Sequence, residues 1–276
     1  MRILNSKRKL MFMADNFFKM LKLFLFVQKS NLKTAFLSKG DALANVIMMT
    51  INNLSFIFMW WVIFQNKGTI NGWNFGDMAL LFAVMNNAFA TFALFARGVQ
   101  QLPEFIDNGN LDNFLVSPRS SLFMVSISES TFANWGDYVT GFLMFFISGH
   151  VTFTNFWLFI LASLFAFIIM YSLRVILSAL AFFASDTQRL GDNIFMAFLT
   201  FGSQPASIFT GWYKVVFLTI IPAGFLSLYP VEFIKGHSLQ ALLIMGIGSI
   251  IFFLLAVKIY QQGLKHYSSG NRFGVR

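Results

Sequence analysis

Residues 239–259 read LQALLIMGIGSIIFFLLAVKI, an apolar run whose only charge, Lys258, stands next to its end. About 20 such residues cover the roughly 30 Å hydrocarbon layer of a bilayer as one helix. The composition agrees: the 276 residues are 57% hydrophobic and 11% charged, against roughly 45–50% and 25% in soluble domains. Four comparable runs precede this one, at about 43–64, 78–96, 122–148 and 156–184. The chain therefore reads as an all-α integral membrane protein. With no cysteine and three scattered histidines, His150, His237 and His266, thiolate chemistry and Cys- or His-based metal sites are excluded.

The stretch 193–229 is a sixth apolar region, and it needs arithmetic. As one helix it would run about 55 Å at 1.5 Å per residue, and Pro205, Gly211 and Pro222 interrupt it. It must be broken. Either both pieces cross, or the first crosses and 213–229 re-enters on the same side. Cation placement discriminates, because Lys and Arg concentrate in cytoplasmic segments. With six crossings and a re-entrant 213–229, sixteen of the twenty Lys and Arg residues fall inside, nine of them before residue 40, and only Lys67 and Lys235 fall outside. A seventh crossing would place the cationic tail outside. The expectation is six transmembrane helices, a broken or re-entrant segment between helices 5 and 6, and both termini cytoplasmic. The formal charge of +9 is then a property of topology and not of nucleic-acid binding. Trp60, Trp61, Trp73, Trp157 and Trp212 suit the outer interface; Trp135 does not, unless the third segment enters the bilayer late.

Residues 1–41 form a cytoplasmic N-terminus. A signal peptide is disfavoured there, since the run Leu23–Val27 is short and no small-residue cleavage site follows. At 100° per residue Asp15, Lys19, Lys22, Lys29 and Lys33 share one face and Phe17, Met20, Leu21, Phe24 and Val27 the other. That pattern fits an interfacial amphipathic helix lying on membrane lipid, with Phe26 out of place on the charged side. A tail held only by its charge is the alternative.

The loop at 98–118 reads GVQQLPEFIDNGNLDNFLVSP. Pro103 suits a first helical turn and Asn108-Gly109 a stop, so a short helix is expected over about 103–108. Leu102, Phe105 and Ile106 repeat at helical spacing, and Leu111, Phe114 and Leu115 repeat it after the glycine. These apolar faces bury either against the protein's own spans or against a soluble partner, which Glu104, Asp107 and Asp112 would help to attract.

Residues 106–118, IDNGNLDNFLVSP, resemble the "I-x-x-G-x-L-D-x-x-L-x-x-P" loop of ABC-2-type transporter permeases, the six-helix membrane subunits of ABC exporters. Further stretches are similar to that family in the same order. They are Leu180-Ala-Phe-Phe-Ala-Ser-Asp, Gln204-Pro-Ala-Ser-Ile-Phe, and Ile221-Pro-Ala-Gly-Phe with Pro230 beyond it, where Phe183 replaces the usual Trp and Gln204 the usual Tyr. The resemblance covers about residues 40–260. It implies a transmembrane domain over 42–260, a cytoplasmic tail over 261–276, and residence in a bacterial-type plasma membrane. It also implies a dimer with an identical or a second permease, moving a hydrophobic or amphipathic substrate. The loop would be the coupling element docking an ATPase through Leu102, Pro103, Glu104, Phe105, Ile106, Asp107, Gly109 and Asp112. No G-x-x-x-x-G-K-[ST] occurs, so this chain is not expected to be an enzyme and has no P-loop cradle for nucleotide phosphates. ATP and Mg would belong to the ATPase. A self-sufficient secondary transporter is the alternative class; it calls for internal repeats and coupling carboxylates, and no repeat is evident.

Ionisable groups within spans are costly. Glu129 and Arg174 stand at similar depths and can pair as a structural bridge. Arg174 snorkelling alone, or a role in substrate passage, are the other readings. Asn52-Asn53 and Asn86-Asn87 each send one amide inward, for interhelical hydrogen bonding or for lining a path.

Overall fold

The computed structural model describes residues 2–209, 211–212 and 222–268, with side chains from Phe18 onward except Ser38 and Lys39. Among the described residues it is all-helical, without a strand. A long leading helix α1 (Arg2–Ala35) runs into α2 (Lys39–Lys67), and α3 (Phe75–Phe95) returns from a short turn. Two short helices follow, α4 (Leu102–Asp107) and α5 (Asp112–Leu115), then α6 (Ser121–Ile127), α7 (Trp135–Ile147) and α8 (Phe153–Ala179). After a 3-10 turn come α9 (Thr187–Gly202), α10 (Leu228–Gly236) and α11 (Leu239–His266).

Among the described residues, four stretches are long and apolar enough to cross a membrane: Gly40–Lys67, Phe75–Phe95, Phe153–Phe182 and Leu239–His266. Of these, 78% of the α3 stretch is buried, against 11% of the α2 stretch and 17% of the α11 stretch, so α3 is the axis of the bundle. Its alanines at 79, 83, 88, 90 and 93 are buried, and small side chains let neighbouring helices approach without a hydrophobic driving force between them. Helices α7 and α8 pack on α3, and α11 packs on α8.

The expected continuous third span over 122–148 is not one helix. It divides into α6 and α7, with residues 128–131 outside helix. The polar run Ser126-Ile-Ser-Glu-Ser130 explains why. The Ser126 hydroxyl donates to the Leu122 carbonyl and that of Ser128 to the Val125 carbonyl, side-chain bonds that compete with the helical ladder. The freed Thr131 N–H donates to the Ala93 carbonyl of α3, which satisfies a group that bare hydrocarbon would leave unpaired. At about 20 Å, α7 cannot cross alone. Trp135 opens it, so the indole misplaced in the sequence reading marks this late restart. Trp60, by contrast, is buried against Phe64 and not exposed to a headgroup layer.

The broken region over 193–229 begins as α9 and turns at Pro205. Most of its expected re-entrant piece, 213–221, lies outside the described residues; a 3-10 turn at Pro222–Phe225 and then α10 follow. One end of the bundle gathers the connections 67–74, 148–152 and 203–208 together with α10. There Asn71 donates to the Ser207 carbonyl, Lys235 pairs with Asp77 at 2.9 Å, and His237 meets Asn155. The opposite end holds α4, α5 and the close of α11.

Gly136 seats α7 on α2: a Cβ there would stand 2.6 Å from the Val46 carbonyl oxygen. Gly136→Leu is therefore expected to cost about 1–3 kcal/mol by overpacking and to lower the melting temperature in detergent. Gly40→Ala, where a Cβ meets open space, serves as the reference. Equal melting curves for both variants would contradict this packing.

Candidate functional site

The loop after α3 turns at once into a 3-10 segment, Arg97–Gln101, and then α4, with Pro103 in its first turn. Gly98 permits this: a Cβ would fall 1.9 Å from the Val125 carbonyl oxygen and 2.4 Å from the Ser128 hydroxyl, so the loop lies directly on the broken end of α6. Gly109, with φ of 73°, reverses the chain, and the Leu111 N–H donates to the Phe105 carbonyl to close it. The short helix and its stop lie where the sequence places them.

The apolar face of the loop divides. Val99, Leu102, Pro103, Ile106 and Leu111 are buried, most of them in a separate core with Val125, Val175, Ala179, Phe182 and Tyr260. Leu102, Pro103 and Ile106 therefore belong to the loop's own attachment, which corrects their assignment to a docking surface: Leu102 and Ile106 are 0% and 3% exposed and Pro103 is buried, so they face the protein's own core. Facing outward are Glu104, Asn108, Asn110, Leu115 and Val116, the last 86% exposed, with Phe105 half-buried and its ring tilted against Phe114 at 5.1 Å between centroids. Asp107 and Gly109 are half-buried. Asp112 faces Tyr267 beyond the end of α11, where burial and this carboxylate push the phenol up to about 12.

Arg174 fastens the loop to the spans. It is 1% exposed, its guanidinium meets Asp192 of α9 at 2.6 Å, and the same Nη2 donates to the Gln100 carbonyl at 3.3 Å, with the Phe195 ring 5.6 Å away. The expected pairing with Glu129 is replaced: Glu129 stands in the break between α6 and α7, where its carboxylate accepts from Gln101. The loop thus holds one contact to α6 and one to the α8–α9 hairpin.

Deeper in the bundle a second polar group forms around Asp137, 2% exposed. Asn53 of α2 donates to its Oδ1 at 2.6 Å and Asn134 to its Oδ2 at 2.6 Å; Thr140 receives Asn53 and Asn86 at 3.1 and 3.2 Å. The asparagine pairs split as expected, though unequally. Asn53 and Asn86 face this network, Asn52 is exposed, and Asn87 is buried without a partner among the described residues. The arrangement is interhelical bonding, with α2 joined to the Asp137 carboxylate of α7 and α3 to the neighbouring Thr140 hydroxyl. The sequence reading missed Asp192, Gln101, Asn134 and Thr140. Asp192 had a signal: in a tight antiparallel hairpin turning near 184, residues 174 and 192 stand at almost equal distances from the turn.

Residues 47–270 match the family model described as ABC-2 family transporter protein. No curated protein matches. No solved structure matches either.

Because Asp192 is 39% exposed and Arg174 1%, the two halves of the pair are unequal. Asp192→Asn strands a buried cation and is expected to cost about 3–5 kcal/mol. Arg174→Met leaves a carboxylate that water can reach and should cost less, and the double variant should lose less than the sum of the singles. Additive losses in thermal melts would refute the coupling.

Proposed function

The chain belongs to the ABC-2 transporter family, and from that membership we propose that it is the membrane-spanning subunit of an ABC exporter whose ATP and Mg are bound by a separate ATPase chain. In this reading the bundle crosses a bacterial-type plasma membrane six times. The spans are α2, α3, α6 with α7, α8, α9 and α11; both termini and the α4–α5 loop are cytoplasmic, and the Asp77–Lys235 end is outside. It works as a dimer with an identical chain or a second permease. Its cargo is hydrophobic or amphipathic.

The observation that carries the reading is the two-sided loop. Its buried side is pinned to the α8–α9 hairpin through Arg174 and to α6 through Gln101 and Gly98. Its outer side presents acid, amide and exposed apolar groups: Glu104, Asn108, Leu115 and Val116. An ATPase that closes on nucleotide and presses this surface would move α6, α8 and α9 together, which is the kind of hinged or sheared helix movement that opens one side of a bundle as it closes the other.

Leu115→Glu combined with Val116→Glu, both exposed, is expected to abolish recovery of the ATPase with tagged chain from its native membrane, with melting unchanged. Ile106→Glu, at a buried position, is expected to lower the melting temperature instead. Full ATPase recovery with the outward-facing pair substituted would reject the docking assignment.

A further inference from the structure

A cavity of about 700 Å³ opens beside the loop, bounded by α1, α6, α8 and α11. Its lining changes character along its length. Arg119, Ser120 and Gln261 stand at the end nearest the close of α11, and Phe123, Phe167 and Phe253 line the far part. The hydroxyls along the wall are occupied: Tyr260 donates to Ser121, and Tyr171 is bonded to Ser126. The deep part therefore presents an apolar face. Measured back from His266 at 1.5 Å per residue, Gln261 lies about 8 Å and Phe253 about 20 Å along α11, a span close to the roughly 15 Å half-thickness of the hydrocarbon layer. The cavity is as deep as one leaflet and polar at the leaflet's edge.

It is open sideways. Phe253, on the apolar stretch of α11, is 41% exposed, so the deep rim faces the surrounding bilayer. One wall is α1, held by Phe24 against Phe95 with ring centroids 5.7 Å apart. The exposed Leu25 and Phe26 of α1, at 56% and 70%, alternate with exposed Lys22, Lys29 and Lys33, as in a helix lying among anionic headgroups. Arg119, half-buried at the mouth, has no partner among the described residues.

We propose that this cavity binds one anionic glycerophospholipid of the leaflet facing the α4–α5 loop, its phosphate on Arg119 and an acyl chain along Phe123, Phe167 and Phe253. A guanidinium supplies charge-assisted hydrogen bonds to phosphate, and 700 Å³ falls among the roughly 300–1,000 Å³ pockets that enclose small ligands. The bound lipid fills the gap between α1 and the spans and joins the amphipathic helix to the loop's base. It stands apart from the ATPase assignment and requires only that α11 cross the bilayer.

Because the chain has no cysteine, one label reports on the site. Val257→Cys carries a fluorophore inside the cavity; Leu255→Cys, 44% exposed and turned about 200° around α11, is the reference. In nanodiscs, brominated phosphatidylglycerol is expected to quench the Val257 label at about tenfold lower mole fraction than brominated phosphatidylcholine, the size of one charge-assisted contact. The Leu255 label should show no preference, and soluble glycerol 3-phosphate should not relieve the quenching. Arg119→Gln should erase the preference, while Arg119→Lys and the triple change of Lys22, Lys29 and Lys33 to Gln should retain it. The proposal is overturned by equal quenching from both lipids, by relief with glycerol 3-phosphate, or by a preference lost with the three lysines and kept in Arg119→Gln.

Discussion

A guanidinium 1% exposed within a membrane-spanning helix is the constraint to which the loop end of this bundle is built. The desolvation cost of such a cation is several kcal/mol, and it is met only where an anion and further acceptors are fixed nearby. Here Asp192 supplies the anion, the Gln100 carbonyl a second acceptor, and the Phe195 ring a polarisable face. Asp192 and Phe195 belong to α9 and Gln100 to the loop, so neutralising one charge fixes α8 to α9 and both to the loop. The asymmetry matters as well. Asp192 keeps 39% of its side chain exposed, so the pair joins the buried core of α8 to the surface, and a displacement of the loop cannot leave α8 and α9 behind without stranding the cation.

The break between α6 and α7 follows the same accounting of polar groups. Interrupting a helix at membrane depth frees backbone donors and acceptors, and this is tolerated only where protein replaces lipid around them. The Thr131 N–H is met by α3 through the Ala93 carbonyl, the Ser126 and Ser128 hydroxyls by their own turn, and Glu129 by Gln101. The loop contributes to this accounting directly, since Gly98 lies against the end of α6 and Gln101 donates to Glu129 in the break.

The apolar runs at 43–64, 78–96, 156–184 and 239–259 were legible because span length and hydropathy are properties of a single helix against a solvent of known thickness. The α4 stop was legible because Asn108-Gly109 is local chemistry. What the sequence could not show was which surface each apolar face would meet. Leu102 and Ile106 repeat as a buried face or a docking face would, and only the position of α8 against the loop decides for burial. Glu129 and Arg174 matched in depth along their own helices, yet depth omits rotation about the axis, and the helix carrying Glu129 ended before reaching it. Nothing beside Asp137 in the sequence assigns it a role, because its partner Asn53 lies 84 positions earlier, a separation that no local pattern encodes.

The distribution of packing also decides where the bundle can move. Helix α3 is enclosed by α7 and α8 through buried alanines, so shifting it would open voids on two sides. Helix α2 is different. Only 11% of its apolar stretch is buried, and its firm attachments are Gly136 against Val46, the Phe56–Phe82 contact and the amide of Asn53 on Asp137. Moving α2 exchanges contacts with protein for contacts with lipid of equal polarity, at little hydrophobic cost, while the Asn53–Asp137 bond keeps a fixed point near its middle. A helix held at one polar point, with one packed face through Ile57, Trp60 and Phe64 and most of its apolar stretch outside the core, swings more cheaply than it slides, and α2 is the helix so placed.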